Sequence, residues 1–344
     1  MSKVLIITDQ HFGVRNDNQH YVDRYRKFYT ETVLPLIDKE GITEILNLGD
    51  TFDRRKGVNF SSLEAAKDMW FRPLQDRGVK MTMLLGNHDI YYKNTLRVNS
   101  PELLLGEFDN LEIIYCPGER LIGGVKMMLV PWICEENREA CLEAINDTDA
   151  DYCMGHFELN GFDPIPGVTM KHGDDPTLLS KFKMVCSGHF HCRSHKSNIH
   201  YLGNPCQLYW NDYGHDRGFH TLNTSTRKLK FHKNPYHTFN KIFYKDDINL
   251  TPMSLKKLEG TYVKLIVEEK NDQVKFDQVV RRLHAVDLAD LKIIEDVTYD
   301  LDSVETDVEV EDTLTILEHC VSDFDNKDDI FPILKSLYME AVEV

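Results

Sequence analysis

The sequence contains no apolar run of about twenty residues, so nothing in it reads as a membrane-spanning helix. An apolar leader is also missing, since Met1-Ser2-Lys3-Val4 runs straight into a strand-like segment. Together these predict a soluble, unexported, cytoplasmic protein with no membrane partner. Its eight cysteines are scattered without one Cys-x-x-Cys pair. That argues against a disulfide framework and against a thiolate zinc site, which needs clustered ligands. Basic residues are scarce, 40 against 56 acidic, and the net charge of −16 counts at first sight against a nucleic-acid partner. The distribution changes that inference. From Asp296 to Asp329 thirteen acidic residues face only Lys327, which puts −12 on this segment and −4 on the rest of the chain.

What is present in the first two hundred residues is an alternation of short apolar runs with helical patterns, the signature of a layered α/β fold. Strands are predicted at Val4 to Ile7, Glu44 to Leu48, Met81 to Leu85, Lys126 to Val130, Tyr152 to Met154 and Met184 to Cys186. One helix is predicted near Tyr21 to Asp38, carrying Tyr21, Tyr25, Phe28 and Leu36. A second is predicted to open on a Ser61-Ser62-Leu63-Glu64 capping box and to run to about Gln75, with Ala66, Met69, Trp70 and Leu74 on one face. Residues 199–245 read as strands and turns closing a first domain, 1–245. From Asp246 to Ser254 a connector is predicted, then a small β-α-β unit within 246–299: Tyr262 to Val267, Phe276 to Val286 and Lys292 to Val297. Residues 300–312 read as an acidic linker and 313–344 as C-terminal helices.

Five polar motifs stand where the strand-like runs end, the edge at which open α/β sheets gather ligands. They are Asp9-Gln10-His11, Gly49-Asp50-Thr51-Phe52-Asp53, Gly86-Asn87-His88-Asp89, Gly155-His156 and Gly188-His189-Phe190-His191. Singly each is weak; their order and placement together are not. Two divalent cations held about 3.5–4 Å apart repel each other and need carboxylates, other oxygens and neutral imidazoles around them. The motifs supply enough of each for two octahedral-type sites that still hold water.

These motifs resemble, in order and spacing, those of the calcineurin-like metallophosphoesterase superfamily over residues 1 to about 205. The resemblance implies a two-sheet layered metallophosphoesterase sandwich with helices outside, plus a small α+β capping domain and C-terminal helices. It implies that Asp9, His11, Asp50 and His191 hold one metal, that Asp50, Asn87, His156 and His189 hold the other with Asp50 as the bridge, and that His88 is the catalytic imidazole beside them. Within the superfamily, Gly-Asp-Thr-Phe-Asp at 49–53, Val130-Pro131-Trp132 and Tyr201-Leu202-Gly203-Asn204-Pro205 look like elements of the SbcD-type nucleases. The run from Gly155 to Phe162 is closer still to the recombination endonuclease subunits of T4-like phages. Bacterial and phage members share Asp53 where eukaryotic and archaeal relatives carry histidine, which leaves Asp53 to orient His88 or its water. The serine/threonine phosphatase branch is disfavoured, because its Gly-Asp-Tyr-Val-Asp-Arg-Gly and Gly-Asn-His-Glu elements are not matched in full.

The expectation is a manganese-dependent (or magnesium-dependent) DNA exonuclease and single-strand endonuclease of a double-strand-break repair or recombination complex. The partners implied by the resemblance are DNA, an SMC-like ABC ATPase of the SbcC type and a second copy of the chain, in a host cytoplasm if phage-encoded. Arg54, Arg55, Lys56, Tyr91, Lys93 and Arg97 flank the motifs and suit a phosphate backbone with unstacked bases. Leu314, Leu317, Ile330, Ile333, Leu334, Leu337 and Tyr338 have the three-and-four spacing of helices that dock on a partner such as that ATPase. The alternatives are a phosphodiesterase or phosphatase of small substrates, and a non-catalytic scaffold, against which the intact ligand set and His88 speak.

Overall fold

The computed structural model describes residues 3–165 and 167–295, together with Leu334. Residues 1–300 form one compact unit and 301–344 a second. The strands are β1 (Lys3–Ile7), β2 (Glu44–Asn47), β3 (Lys80–Leu84), β4 (Leu111–Ile114), β5 (Gly118–Ile122), β6 (Val125–Val130), β7 (Tyr152–His156), β8 (Met184–Gly188), β9 (Ser194–Lys196), β10 (Ile199–Tyr201), β11 (Gly218–Asn223), β12 (Lys228–Lys233), β13 (Phe239–Tyr244), β14 (Tyr262–Val267) and β15 (Asp290–Ile294). One sheet has the order β12-β11-β1-β2-β3-β4 and another β5-β6-β7-β8-β10-β9. Each has a parallel block, β1 to β4 in the first and β6-β7-β8-β10 in the second; antiparallel strands flank it on one side in the first sheet, where β4 is the edge, and on both sides in the second.

Side chains alternate along a strand, and that alternation builds the layers. Val4 and Ile6 join Leu46, Leu84, Met127, Leu129, Met154 and Cys186 in a core between the two sheets. Leu5 and Ile7, one residue out of phase, pack with Tyr25, Phe28, Tyr29 and Trp70 of the helices over the first sheet. Met128, Val130, Cys153 and Val185 do the same on the second sheet with Cys141 and Ile145 of helix Arg138–Asp147. Both parallel centres are therefore covered on two faces, which is why their strands read as nearly unbroken apolar runs. The fold is the two-sheet α/β sandwich with helices outside.

The helices over residues 19–40 and 60–76 share a device. Each passes through a π-turn, Tyr29–Val33 and Lys67–Phe71, closed by an N–H donated five residues back, from Leu34 to Tyr29 O and from Arg72 to Lys67 O. Pro35 and Pro73 follow directly. A proline ring collides with the carbonyl four residues earlier in a regular helix, and the wider turn makes room for it. Helix 60–76 opens two residues earlier than its capping-box reading: Asn59 is the cap, its side chain accepting from Ser61 N at 2.9 Å. Asn59 is the better cap because its carboxamide oxygen reaches that N–H, leaving Ser61 inside the first turn.

A third sheet, β13-β14-β15, is all parallel. Helix Gln273–His284 lies between β14 and β15 in sequence and buries Phe276, Val279 and Leu283 with Val263 and Leu265. Phe239–Tyr244, grouped in sequence with the strands closing the first domain, belongs to this sheet instead. The connector after Asp246 runs into a short helix, Pro252–Lys256, capped by Thr251. The third sheet abuts the helix over residues 19–40, with Arg24 donating to Glu259 O and Tyr21 tilted 5.8 Å from Tyr262. The acidic linker and all the partner-docking residues except Leu334 lie outside the described residues; Leu334 is helical and half-buried.

Trp70 is fully buried and its ring lies 4.8 Å from that of Tyr29. Trp70→Ala is expected to lower unfolding free energy by about 3–5 kcal/mol, measured by urea denaturation. A loss below about 1 kcal/mol would show that the helix layer can close over the cavity.

Candidate metal centre

The five motifs lie at the carboxyl ends of β1, β2, β3, β7 and β8, so two sheets converge their parallel edges on one place. The loops there are bent hard. Asp9, His11, Asp50 and His189 all have positive φ, between 47° and 82°, a region that side-chain-bearing residues seldom adopt. Each such residue costs of order 1–3 kcal/mol and persists only where surroundings impose it. Asp89 is one agent of that imposition. Its buried carboxylate accepts from the backbone N–H groups of Asp50 (2.8 Å), Thr51 (2.9 Å) and Gly86 (2.9 Å), tying the second loop to the third. Gly86 has to be glycine because a Cβ there would occupy the space of the Asp50 carboxylate.

Seven side chains meet at this edge. The ligand atoms of Asp9, His11 and His191 lie within 4.8 Å of one another, as do those of Asp50, His156 and His189. Asp50 Oδ2 stands between the groups, 3.3 Å from His156 Nε2 and 3.8 Å from His11 Nε2. Asn87 Oδ1 completes the second group at 3.0 Å from both His156 Nε2 and His189 Nδ1.

The donor chemistry fits a cation. His156 Nδ1 donates to Leu48 O at 2.7 Å, so its Nε2 carries a lone pair in the neutral ring. That lone pair confronts the lone pairs of Asn87 Oδ1 and Asp50 Oδ2, and such an encounter is stable only with positive charge among them. In the first group His11 Nδ1 faces Asp53 Oδ1 at 3.3 Å while His11 Nε2 and His191 Nε2 meet at 3.1 Å. Two imidazole nitrogens at that distance share a proton or a metal ion.

Electrostatics agree. Burial alone disfavours the imidazolium forms of His11 and His156, yet Asp53 and Asp50 beside the first and Asp50 beside the second raise both to about 9. Burial pulls His191 well down, helped by the neighbouring charge of His11 and Arg217. Burial also pushes Asp9 up, and it opposes ionisation of Asp50, which His156 and His88 nevertheless hold well below the usual carboxylate range. The cluster demands positive charge, as protons or as metal ions.

Around this centre sit residues that sequence reasoning passed over. Arg217, itself buried on Asp212, donates to His191 O and so fixes the backbone of that residue. Glu158 meets His189, with Oε2 at 3.2 Å from Nε2. Trp132, in the loop after β6, lays its ring 5.0 Å from that of His189. Trp132, in Val130-Pro131-Trp132, and Glu158, in the run from Gly155 to Phe162, stood in motifs the sequence offered without being given a role; Arg217 becomes visible through contacts distant in sequence. Asp53, expected to orient His88 or its water, meets His88 through its main chain, its carbonyl accepting from His88 Nδ1 at 2.5 Å, while its carboxylate faces His11 Nδ1 at 3.3 Å. His88 N–H in turn donates to Asp50 Oδ1 at 2.8 Å. Of the basic and aromatic candidates, Arg54 is held by Asn16 and Asp17, Arg97 pairs with Glu136 at 2.8 Å, and Tyr91 and Lys93 are exposed on the loop after His88. Lys56 is exposed and Arg55 half-buried on the loop after Asp53.

A family model described as calcineurin-like phosphoesterase matches residues 2–193, the stretch that contains every one of these ligands. The chain belongs to the calcineurin-like phosphoesterase family. It is a phosphoesterase. Across 99% of its length it is 31% identical to all of "Exonuclease subunit 1" of Enterobacteria phage T4. Among solved structures it is similar to one described as GAP50, the anchor in the inner membrane complex of Plasmodium (TM-score 0.42, 16% identity, 68% of this chain and 85% of that one). It is also similar to a novel archaeal phosphodiesterase (TM-score 0.35, 13% identity, 67% and 99%). Both structural likenesses are too distant to bear on substrate or fold. Phosphoesterases of this family use divalent metals, and the two groups form two candidate sites for them.

Asp50→Ala is expected to lose both ions, because one carboxylate oxygen serves both groups, whereas Asp9→Ala should weaken one. Metal content after dialysis against Mn2+ measures this. Two equivalents retained by the Asp50 variant would contradict the shared carboxylate.

Proposed function

We propose that this chain is the manganese-dependent nuclease subunit of a DNA repair or recombination complex, cutting DNA ends exonucleolytically and single strands endonucleolytically. The observation that carries the proposal is the pair of facing ligand groups bridged by Asp50, in a chain alike over its whole length to a phage protein named as an exonuclease subunit. Magnesium is the second candidate for the ion.

When bound, two divalent ions would supply Lewis acidity to the phosphodiester and to the attacking water. The chain's own groups do the rest. His88 donates from Nδ1 to Asp53 O, and as an imidazolium it would also carry a hydrogen on Nε2, which it could give to the leaving oxygen while its positive charge stabilises the crowded phosphorus. Asp89 and Gly86 keep Asp50 and Asn87 in place. Arg54, Arg55, Lys56, Lys93 and Arg97 attract the phosphate backbone, and Tyr91 offers a face for an unstacked base. The Arg97–Glu136 pair is exposed, so it is worth little and can yield to phosphate.

His88→Ala is expected to reduce manganese-dependent digestion of end-labelled DNA by about 10²–10⁴-fold with metal content unchanged. A variant that cuts at the wild-type rate, or that loses its ions, would remove His88 from this role. The helices expected in residues 313–344 are proposed to dock on the SMC-like ATPase through Leu314, Leu317, Ile330, Ile333, Leu334, Leu337 and Tyr338, and the catalytic part to pair with a second copy. Deleting 313–344 should leave a folded, manganese-competent nuclease that no longer co-purifies with the ATPase. A truncation that melts early yet still binds its partner would contradict this.

A further inference from the structure

We propose that Glu158 is a positioning residue for the second metal ion, fixing the tautomer and orientation of His189; this rests on the two-ion reading above. The His189 ring is held from both ends. Its Nε2 lies 3.2 Å from Glu158 Oε2 and its Nδ1 lies 3.0 Å from Asn87 Oδ1. A carboxylate oxygen can only accept, so the Glu158 contact places the hydrogen of the neutral ring on Nε2. Nδ1 is then a lone pair aimed where Asn87 Oδ1 and His156 Nε2 also aim theirs, and the ring becomes a ligand rather than a hydrogen-bond donor to Asn87.

The geometry has an internal parallel. Among the described residues, three of the four clustered imidazoles have a partner at their second nitrogen: Leu48 O at His156, the Glu158 carboxylate at His189, and the Asp53 carboxylate, at ion-pair distance and without a hydrogen bond, at His11. Each ligand group therefore contains one imidazole backed by a carboxylate. A carboxylate behind a ligating imidazole fixes the ring and raises its basicity, and losing such a partner typically costs about 10–100-fold in metal affinity or activity.

Glu158 is built to hold its place. Tyr201 OH donates to Phe157 O at 2.9 Å and accepts from Leu159 N at 3.2 Å, while Phe157 N donates to Ser187 Oγ at 2.9 Å and Asp174 N to Glu158 O at 2.8 Å. The backbone on both sides is pinned to β8, β10 and the 174 loop. Only the side chain reaches toward the centre. On the other side, Trp132 lies 5.0 Å from the His189 ring and limits its rotation.

The test is calorimetric titration of the full chain with Mn2+ alone, without DNA, for the wild type, Glu158→Ala and Glu158→Gln, beside thermal melts of the chelator-treated proteins. Glu158→Ala should weaken one of two Mn2+ ions by about 10–100-fold, leave the other unchanged and leave the metal-free melting temperature unchanged. Glu158→Gln should recover part of the loss, since its amide oxygen still accepts from Nε2 but carries no charge. Unaltered affinity for both ions in Glu158→Ala would overturn the assignment. So would equal weakening of both ions with a lower metal-free melting temperature, which marks a structural role. A wild type that binds only one Mn2+ removes the two-ion reading instead, and Glu158 is then judged on the affinity of that ion.

Discussion

The interaction on which everything else in this molecule depends is the mutual repulsion of lone pairs and carboxylates gathered at one edge of two sheets. Asp9, Asp50, Asn87 and four imidazoles are brought within a few ångströms of one another in a buried place, where unpaired charge is costly. No apolar core would tolerate such a cluster by itself. Cations would offset that cost, and the surrounding fold holds the cluster in place: left-handed backbone at four of its residues, Asp89 accepting from two neighbouring loops, Arg217 on the His191 carbonyl.

The architecture follows from that need. Parallel strands carry all their carboxyl ends to the same side, and placing two such sheets face to face lets β1, β2 and β3 contribute from one layer while β7 and β8 contribute from the other. The shared core of Val4, Ile6, Leu46, Met127, Leu129 and Met154 sets the spacing of the layers and hence the span across which Asp50 reaches His156. Packing far from the centre thus sets a distance inside it.

Much of this was legible in the sequence, for a local reason. The ligands sit within a few residues of strand ends, so apolar runs followed by Asp-x-His, Gly-Asp, Gly-Asn-His and Gly-His motifs carry both the strand and the chemistry. The six strands anticipated in the first two hundred residues recur within a residue or two of their expected bounds, and β14 matches Tyr262 to Val267, whereas β15 runs Asp290–Ile294 instead of from Lys292 to Val297. β4 and β5 escaped notice because they are short and lie toward sheet edges, with one face exposed and little periodic signal. The π-turns before Pro35 and Pro73 have no pattern of their own and express the conflict between a proline and the helix it interrupts. Phe239–Tyr244 could not be apportioned between two sheets from its composition, since the choice lies in its pairing with β14. The roles of Glu158, Asp212 and Arg217 were unreadable for a related reason: a carboxylate or guanidinium behind a clustered histidine announces itself only through a contact made across the fold.

The central claim is that two cations replace the protons this cluster otherwise attracts. Anomalous diffraction at the manganese edge, from crystals of the full chain equilibrated with Mn2+, addresses it directly. Two peaks about 3.5–4 Å apart are expected, one among Asp9, His11 and His191 and one among Asn87, His156 and His189, with Asp50 touching both. A single peak, or two that share no carboxylate, would contradict it.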